Sequence, residues 1–131
     1  MKISIIGATH AGTFATMQIL KDHPDYDVTV FERNDNVSFL SCGIALWVGN
    51  HIADPNKMFY SSPKELEKIG AHMKMQHEVL NIDPNAKQLK VKDLNSGKEF
   101  VEAYAARIIT PGSLPVVPRI HGIHSPKVYL G

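Results

Sequence analysis

A chain of 131 residues with 44% hydrophobic and 21% charged residues is long enough to bury the core of one domain. Its formal net charge of +1 does not indicate nucleic acid or an acidic membrane surface as a partner. No apolar run reaches membrane-spanning length, and the apolar residues before Gly7 are too few for a signal peptide. The one cysteine, Cys42, cannot form an internal disulfide, so we expect a protein of the reducing cytoplasm.

The first third of the chain predicts one βαβ unit. Residues 2–6 are a short apolar run rich in β-branched side chains, which is typical of a buried parallel strand. After a glycine-rich turn, residues 13–21 have the spacing of a helix, and residues 27–31 predict a second strand. The side chains expected on the buried face of the helix are Phe14, Met17 and Leu20.

The rest of the chain predicts short elements. Residues 43–48 are expected to form a short helix beginning at Cys42, with Trp47 packed on the core, and Ser62 is expected to cap another helix. Further strands are predicted at residues 73–75, 79–82, 88–94, 99–104 and 107–110, with a hairpin turn at 95–97. The fold class is therefore α/β, a Rossmann-type parallel sheet with an added antiparallel β-meander.

The turn after the first strand carries two of the three glycines of a dinucleotide-binding fingerprint. Gly7 permits the tight turn, and Gly12 lets the helix pack closely on the sheet. Thr9 stands at the middle position, where the backbone can approach a pyrophosphate less closely than a glycine would allow. The helix N-terminus still offers unpaired N–H groups and its positive dipole end to a diphosphate.

Glu32 strengthens the prediction of a nucleotide site. It lies twenty residues after Gly12, at the end of the second strand, where a carboxylate accepts hydrogen bonds from an adenosine ribose. Its charge would repel a 2′-phosphate, so we expect a ligand without one. The alternative is a solvated strand-end glutamate paired with Arg33.

Cys42 is either a redox centre or a small buried apolar residue, which is the usual fate of a single cysteine. The predicted helix that begins beside it would favour the thiolate anion. His10, in the glycine-rich turn, would form a thiolate–imidazole pair if Cys42 lies beside it, and otherwise caps the helix or lies on the surface. The other six histidines do not predict a metal site.

Together, and in this order, these motifs resemble the N-terminal part of the NADH oxidase and NADH peroxidase family. This is the single-cysteine branch of the pyridine nucleotide-disulfide oxidoreductases. The resemblance covers essentially the whole chain, and the residues around Cys42 are most similar to water-forming NADH oxidases. The matching segments are residues 7–15, 30–35, 38–49, 77–79 and 112–115.

The resemblance implies an FAD-binding domain over residues 1–113 and a connector over 114–131 that leads toward a missing NADH-binding domain. Hydride from NADH would reduce FAD, and dioxygen or peroxide would be reduced while Cys42 cycles between thiolate and sulfenic acid, with His10 as its catalytic partner. The implied cofactor-binding residues are Gly7, Thr9, His10, Ala11, Gly12, Glu32, Arg33, Ser41, Cys42, Val79, Thr110 and Gly112. We expect the chain to be an inactive fragment of a homo-oligomeric parent.

Pro111 departs from the family pattern, which usually has threonine there. Proline removes a backbone N–H and restrains Thr110, so FAD affinity falls if that N–H binds the nucleotide or a neighbouring strand. Three alternatives remain open: an NADH peroxidase, a coenzyme A-disulfide reductase with a mixed disulfide at Cys42, and a non-catalytic adenine-nucleotide-binding module.

Overall fold

The computed structural model describes residues 1–129, and in these it has a four-stranded parallel sheet and a three-stranded antiparallel sheet. Leu130 and Gly131, the end of the predicted connector, lie outside the described residues. The elements are β1 (Lys2–Ile6), α1 (His10–Asp22), β2 (Asp27–Glu32), α2 (Ile44–Val48), α3 (Pro63–Lys68), β3 (Ala71–Met75), β4 (His77–Asp83), β5 (Gln88–Asp93), β6 (Glu99–Ala103) and β7 (Ala106–Ile109). Two 3₁₀ turns lie at Ser41–Gly43 and Pro55–Met58.

The parallel sheet brings three chain segments to one edge. Its strand order is β3-β2-β1-β7, so β1 and β2 are central and β3 and β7 are the edge strands. Ile6, the last residue of β1, pairs with Phe31 on one side and with Ile109 on the other. The glycine-rich turn after β1, the end of β2 and the segment after β7 therefore meet at the carboxyl edge, where open α/β sheets bind ligands.

Both faces of the parallel sheet are covered, which is why β1 and β2 are apolar runs. The helical side holds a cluster of buried residues: Ile3, Ile5, Ala8, Leu20, Val28, Val30, Val37, Leu66 and Ala71. The other side packs against the antiparallel sheet through Phe31, Leu89, Val91 and Tyr104. Ser4, in the middle of β1, is fully buried, and its hydroxyl has no hydrogen-bond partner among residues 1–129.

The antiparallel sheet has the order β4-β5-β6, with a register shift between Val79 and Asn81. The predicted turn at 95–97 does connect β5 to β6. Asp93 organises this turn, because its carboxylate accepts hydrogen bonds from the Asn95 N–H and the Ser96 hydroxyl, each at 2.9 Å. The Asn95 N–H first, and the Ser96 side chain second, hold the pKa of Asp93 below its ordinary value.

The predicted buried face of α1 is wrong for two of its three residues. Leu20 is buried, but Phe14 and Met17 are 57% and 41% exposed. The helix instead buries Thr13 and Thr16, whose hydroxyls donate to the Ala8 and Gly12 carbonyls at 3.0 and 2.8 Å. Because α1 approaches the sheet most closely around Gly12, small side chains fill the space beneath this part of the helix, and backbone carbonyls satisfy the buried hydroxyls.

The predicted core position of Trp47 is also wrong, since this side chain is 45% exposed. The helix α2 that carries it has only five residues and buries none of them. The cap at Ser62 is confirmed, because its hydroxyl accepts the Glu65 N–H at 3.2 Å. No helix within residues 1–129 is long and apolar enough to cross a bilayer.

Candidate functional site

Both glycines of the turn are required by close packing. Gly7 has φ +93°, and a Cβ built on it would overlap the carbonyl oxygen of Thr110. A Cβ on Gly12 would overlap the carbonyl oxygen of Gly7. The Thr110 hydroxyl lies 3.1 and 3.0 Å from the carbonyl oxygens of Ile6 and Gly7, so it braces the turn from the end of β7.

The N-terminus of α1 is open to an anion. Its N-cap residue, Thr9, makes no side-chain capping hydrogen bond, and the first turn holds no acidic residue. The N–H groups of His10, Ala11 and Gly12 are the first three of the helix and have no intrahelical acceptor. These N–H groups and the positive end of the helix dipole suit a phosphate.

Glu32 is buried at 4% exposure, so the solvated-surface alternative for this residue is wrong. One carboxylate oxygen accepts the Ala8 N–H at 2.7 Å, and the other accepts the Asn34 N–H at 2.9 Å. Within residues 1–129 Glu32 forms no ion pair with Arg33. A carboxylate has about four acceptor positions, so these two bonds leave others available to a ligand.

Glu32 lies in a cleft of about 380 Å³ at the carboxyl edge of the parallel sheet. Five predicted cofactor-binding residues line it: Gly7, Glu32, Arg33, Val79 and Gly112. The remaining lining residues were not among the predicted cofactor-binding residues, and they are Ile6, Phe31, His77, Glu78, Pro111, Ser113 and Leu114. They come from three strands, β1, β2 and β4, and from the segment after β7, and a local motif does not reveal residues that are so far apart in the chain.

Pro111 removes no hydrogen bond from the sheet. The Thr110 N–H already donates to the Ile6 carbonyl at 2.8 Å, and it is the last such bond between β7 and β1. Pro111 itself lines the cleft. The missing N–H therefore does not weaken the pairing of β7 with β1.

Cys42 is exposed, so the alternative of a small buried apolar residue is wrong. It lies in the 3₁₀ turn that leads into α2 and lines an open groove of about 670 Å³. The other lining residues of the groove are Ser41, Ile44, Ala45, Val48, Ser113, Leu114 and Pro115. Ser113 and Leu114 also line the cleft of Glu32, so the groove and the cleft adjoin.

His10 contacts Tyr60, a residue that the sequence did not single out. The two rings stack with centroids 5.5 Å apart and planes 6° apart, and His10 Nδ1 lies 3.2 Å from the Tyr60 hydroxyl. No hydrogen bond joins His10 to Cys42 within residues 1–129. Burial raises the pKa of Tyr60 above its ordinary value. Among residues 1–129, no group of three or more His, Cys, Asp or Glu side chains is arranged to hold a metal ion.

A match to the sequence profile of the pyridine nucleotide-disulphide oxidoreductases extends over residues 1–130, and the chain belongs to this family. It is 45% identical to an NADH oxidase of Enterococcus faecalis over 130 residues, which is 99% of this chain and 29% of that protein. It is 29% identical over 113 residues to a coenzyme A disulfide reductase of Staphylococcus epidermidis, covering 86% of this chain and 26% of the relative.

The structure of a water-forming NADH oxidase from Lactobacillus brevis, bound to NADH, is similar with a TM-score of 0.91 and 55% sequence identity. That likeness covers 96% of this chain and 28% of the solved one. The predicted fold class, α/β with a Rossmann-type parallel sheet and an added antiparallel β-meander, is therefore confirmed. The chain spans less than a third of the length of these relatives.

Proposed function

We propose that this chain is the FAD-binding part of an NADH oxidase. The observation that carries the proposal is the buried carboxylate of Glu32, which lines the cleft and has acceptor positions left after two backbone hydrogen bonds. A buried carboxylate has a high desolvation cost, so unused acceptor positions beside a cleft favour a polar ligand there. The family membership and the 45% identity to an NADH oxidase support the same function.

The residues present fit an adenine dinucleotide. Glu32 would hold the ribose hydroxyls, and the free N–H groups at the start of α1 would hold the pyrophosphate. Val79 and Arg33 line the same cleft, and Gly112 leaves room because it carries no side chain. The adjoining groove would receive the other end of the ligand beside Ser41 and Cys42. When bound, FAD supplies hydride acceptance from NADH and electron transfer to dioxygen.

Cys42 would take part as a thiolate. Its sulfur attacks one oxygen of peroxide, the O–O bond breaks, and Cys42 sulfenic acid and hydroxide are formed. Two electrons that originate in NADH and two protons then return the sulfenic acid to the thiol and release water. The exposure of Cys42 in an open groove is compatible with attack on a small oxidant. This chemistry needs a reducing compartment, and we propose the cytoplasm.

The activity belongs to the longer protein. Because the chain spans 28% of the NADH-bound relative, we propose that it does not oxidise NADH alone. Steady NADH consumption with matching oxygen uptake by the chain, at verified mass, would contradict this. In the longer protein, Cys42→Ser should keep hydride transfer but release peroxide in place of water. Peroxide yield per NADH measures this, and unchanged water formation would refute the role of Cys42.

A second candidate is a coenzyme A-disulfide reductase. The open groove beside the exposed Cys42 and the 29% identity to such an enzyme favour it. In that case Cys42 would carry a mixed disulfide with coenzyme A. Release of coenzyme A from the purified protein by reductant, measured by mass spectrometry, would select this candidate over the oxidase. A folded chain that fails to bind FAD in a titration would argue against both.

A further inference from the structure

Two segments that precede α3 are held together as an antiparallel pair. Phe39 and Phe59 form a β-bridge, and their rings lie 5.3 Å apart. The Leu40 N–H donates to the Met58 carbonyl at 2.8 Å. The Ser38 hydroxyl accepts the Ser61 N–H at 2.8 Å and donates to the Ser61 carbonyl at 3.0 Å. We call residues 38–40 and 58–61 the clamp. It joins the segment that leads into Cys42 to the segment that carries Tyr60.

Tyr60 extends from the clamp over the first turn of α1. Its ring stacks on His10 with parallel planes and on Phe14 at 5.5 Å and 23°. Phe14 lies four residues after His10, so the two rings are neighbours on the same helix face. The Tyr60 hydroxyl also lies 3.2 Å from His10 Nδ1. The near-parallel ring contact and the contact between the hydroxyl and Nδ1 together restrain the orientation of the imidazole.

We propose that Tyr60 is a positioning residue for His10, whose hydroxyl donates to Nδ1 and so keeps the ring proton on Nε2. The inference rests on the proposed function and on the predicted role of His10 as the catalytic partner of Cys42. A phenol is the better donor of the pair and an imidazole lone pair the better acceptor, which sets the direction of the bond. The raised pKa of Tyr60 keeps its hydroxyl protonated through neutral pH. Nε2–H is then the only ring position left to donate to another group.

The consequence for the site is that the Nε2–H group of His10 is a fixed hydrogen-bond donor. Through Tyr60 and the clamp, its orientation depends on the segment that carries Cys42. An Nε2–H group can donate to a peroxide or sulfenate oxygen on Cys42, whereas an imidazole free to exchange tautomers would present a lone pair part of the time. Because the clamp holds Tyr60 and the Cys42 segment in one unit, a movement of that segment also moves the group that orients His10. Neither the glycine-rich turn nor the cysteine motif identifies Tyr60.

The test is the tautomer of His10, read from the ¹⁵N chemical shifts of its two ring nitrogens in the full 131-residue chain at about pH 8, where an ordinary imidazole is neutral. Tyr60→Phe removes the hydroxyl and keeps the aromatic ring. Tyr26→Phe is the matched control, because Tyr26 stacks on His23 at 4.4 Å and 8° at the other end of α1. Circular dichroism establishes that each variant is folded.

In the wild-type chain we expect two well-separated ¹⁵N shifts for His10, with the proton on Nε2. In Tyr60→Phe the two shifts should move toward each other as the tautomers mix, and in Tyr26→Phe they should not move. Unchanged His10 shifts in Tyr60→Phe, or a wild-type proton on Nδ1, would overturn the proposal. The rate of Cys42 sulfenic acid formation with peroxide, measured by dimedone trapping, tests the proposed function separately. A tautomer change without a rate change would keep the positioning role of Tyr60 and remove the role of His10 at Cys42.

Discussion

Replacing Glu32 with glutamine should weaken FAD binding and leave a folded chain. The substitution removes the charge and turns one of the two carboxylate oxygens into an NH₂ donor. We expect the remaining oxygen to accept the Ala8 N–H, because Ala8 is buried, whereas Asn34 is exposed and water can reach its N–H. One protein hydrogen bond is thus kept and one is exchanged for a bond to water.

The expected magnitudes follow from these bonds. Without FAD, losing the charge-assisted bond to Asn34 should lower the free energy of unfolding by about 1–2 kcal/mol. With FAD, the ribose loses a charged acceptor, which costs about 1–3 kcal/mol, or roughly a 5- to 150-fold higher Kd. Glu32→Ala is the less specific variant, since it also leaves the buried Ala8 N–H unpaired at a further cost of about 1–3 kcal/mol.

The assay is calorimetric titration of the chain with FAD, with unfolding by urea measured on the same samples. Glu78→Gln is the control, because Glu78 lines the same cleft and the substitution makes the same change in charge. We expect Glu78→Gln to change the Kd much less than Glu32→Gln. Equal Kd values for the wild type and Glu32→Gln would refute the ribose assignment. Equal weakening in both variants would attribute the effect to net charge alone.

Three further predictions concern the fold. Gly12→Ala should abolish FAD binding and lower the free energy of unfolding by about 3 kcal/mol or more in urea titration, because its Cβ overlaps the Gly7 carbonyl; a fully stable variant would contradict the close packing of α1. Ser4→Ala should raise the urea midpoint of unfolding, because it removes a buried unpaired hydroxyl that destabilises the fold by about 1 kcal/mol. A lower midpoint would show that the hydroxyl has a hydrogen-bond partner. Asp93→Asn should lower the Tm at neutral pH, because the ionised carboxylate stabilises the turn. The difference in Tm from the wild type should shrink as the pH falls through the lowered pKa of Asp93, because the wild-type carboxylate is then protonated and loses that stabilisation. A difference that does not depend on pH would contradict that assignment.

The sequence predicts the strands well because each is a local pattern. The run before Gly7, the valine-rich run before Glu32 and the hairpin turn at 95–97 can each be recognised within a few residues. The spacing of Glu32 from Gly12 placed that carboxylate at the correct edge of the sheet, since parallel strands end together.

What the sequence did not predict depends on contacts between distant residues. Ala8 and Glu32 are 24 residues apart, and His10 and Tyr60 are 50 apart, so neither hydrogen bond follows from a local motif. The error about α1 has a related cause. Apolar spacing selected Phe14 as a core residue, but the distance between helix and sheet, set by Gly12, decides which side chains fit.

The edge strand β7 of the parallel sheet has a practical consequence for the production of this chain. Among residues 1–129, β7 pairs only with β1, so its outer side presents backbone N–H and C=O groups without strand partners. Ile109, on this short strand, is 53% exposed. Such a side can add a strand from another molecule, and natural proteins commonly block it with charge or cover it. Strand addition at β7 is therefore expected to promote self-association of the chain at high concentration, and Ile109→Lys is the first substitution to try for solubility.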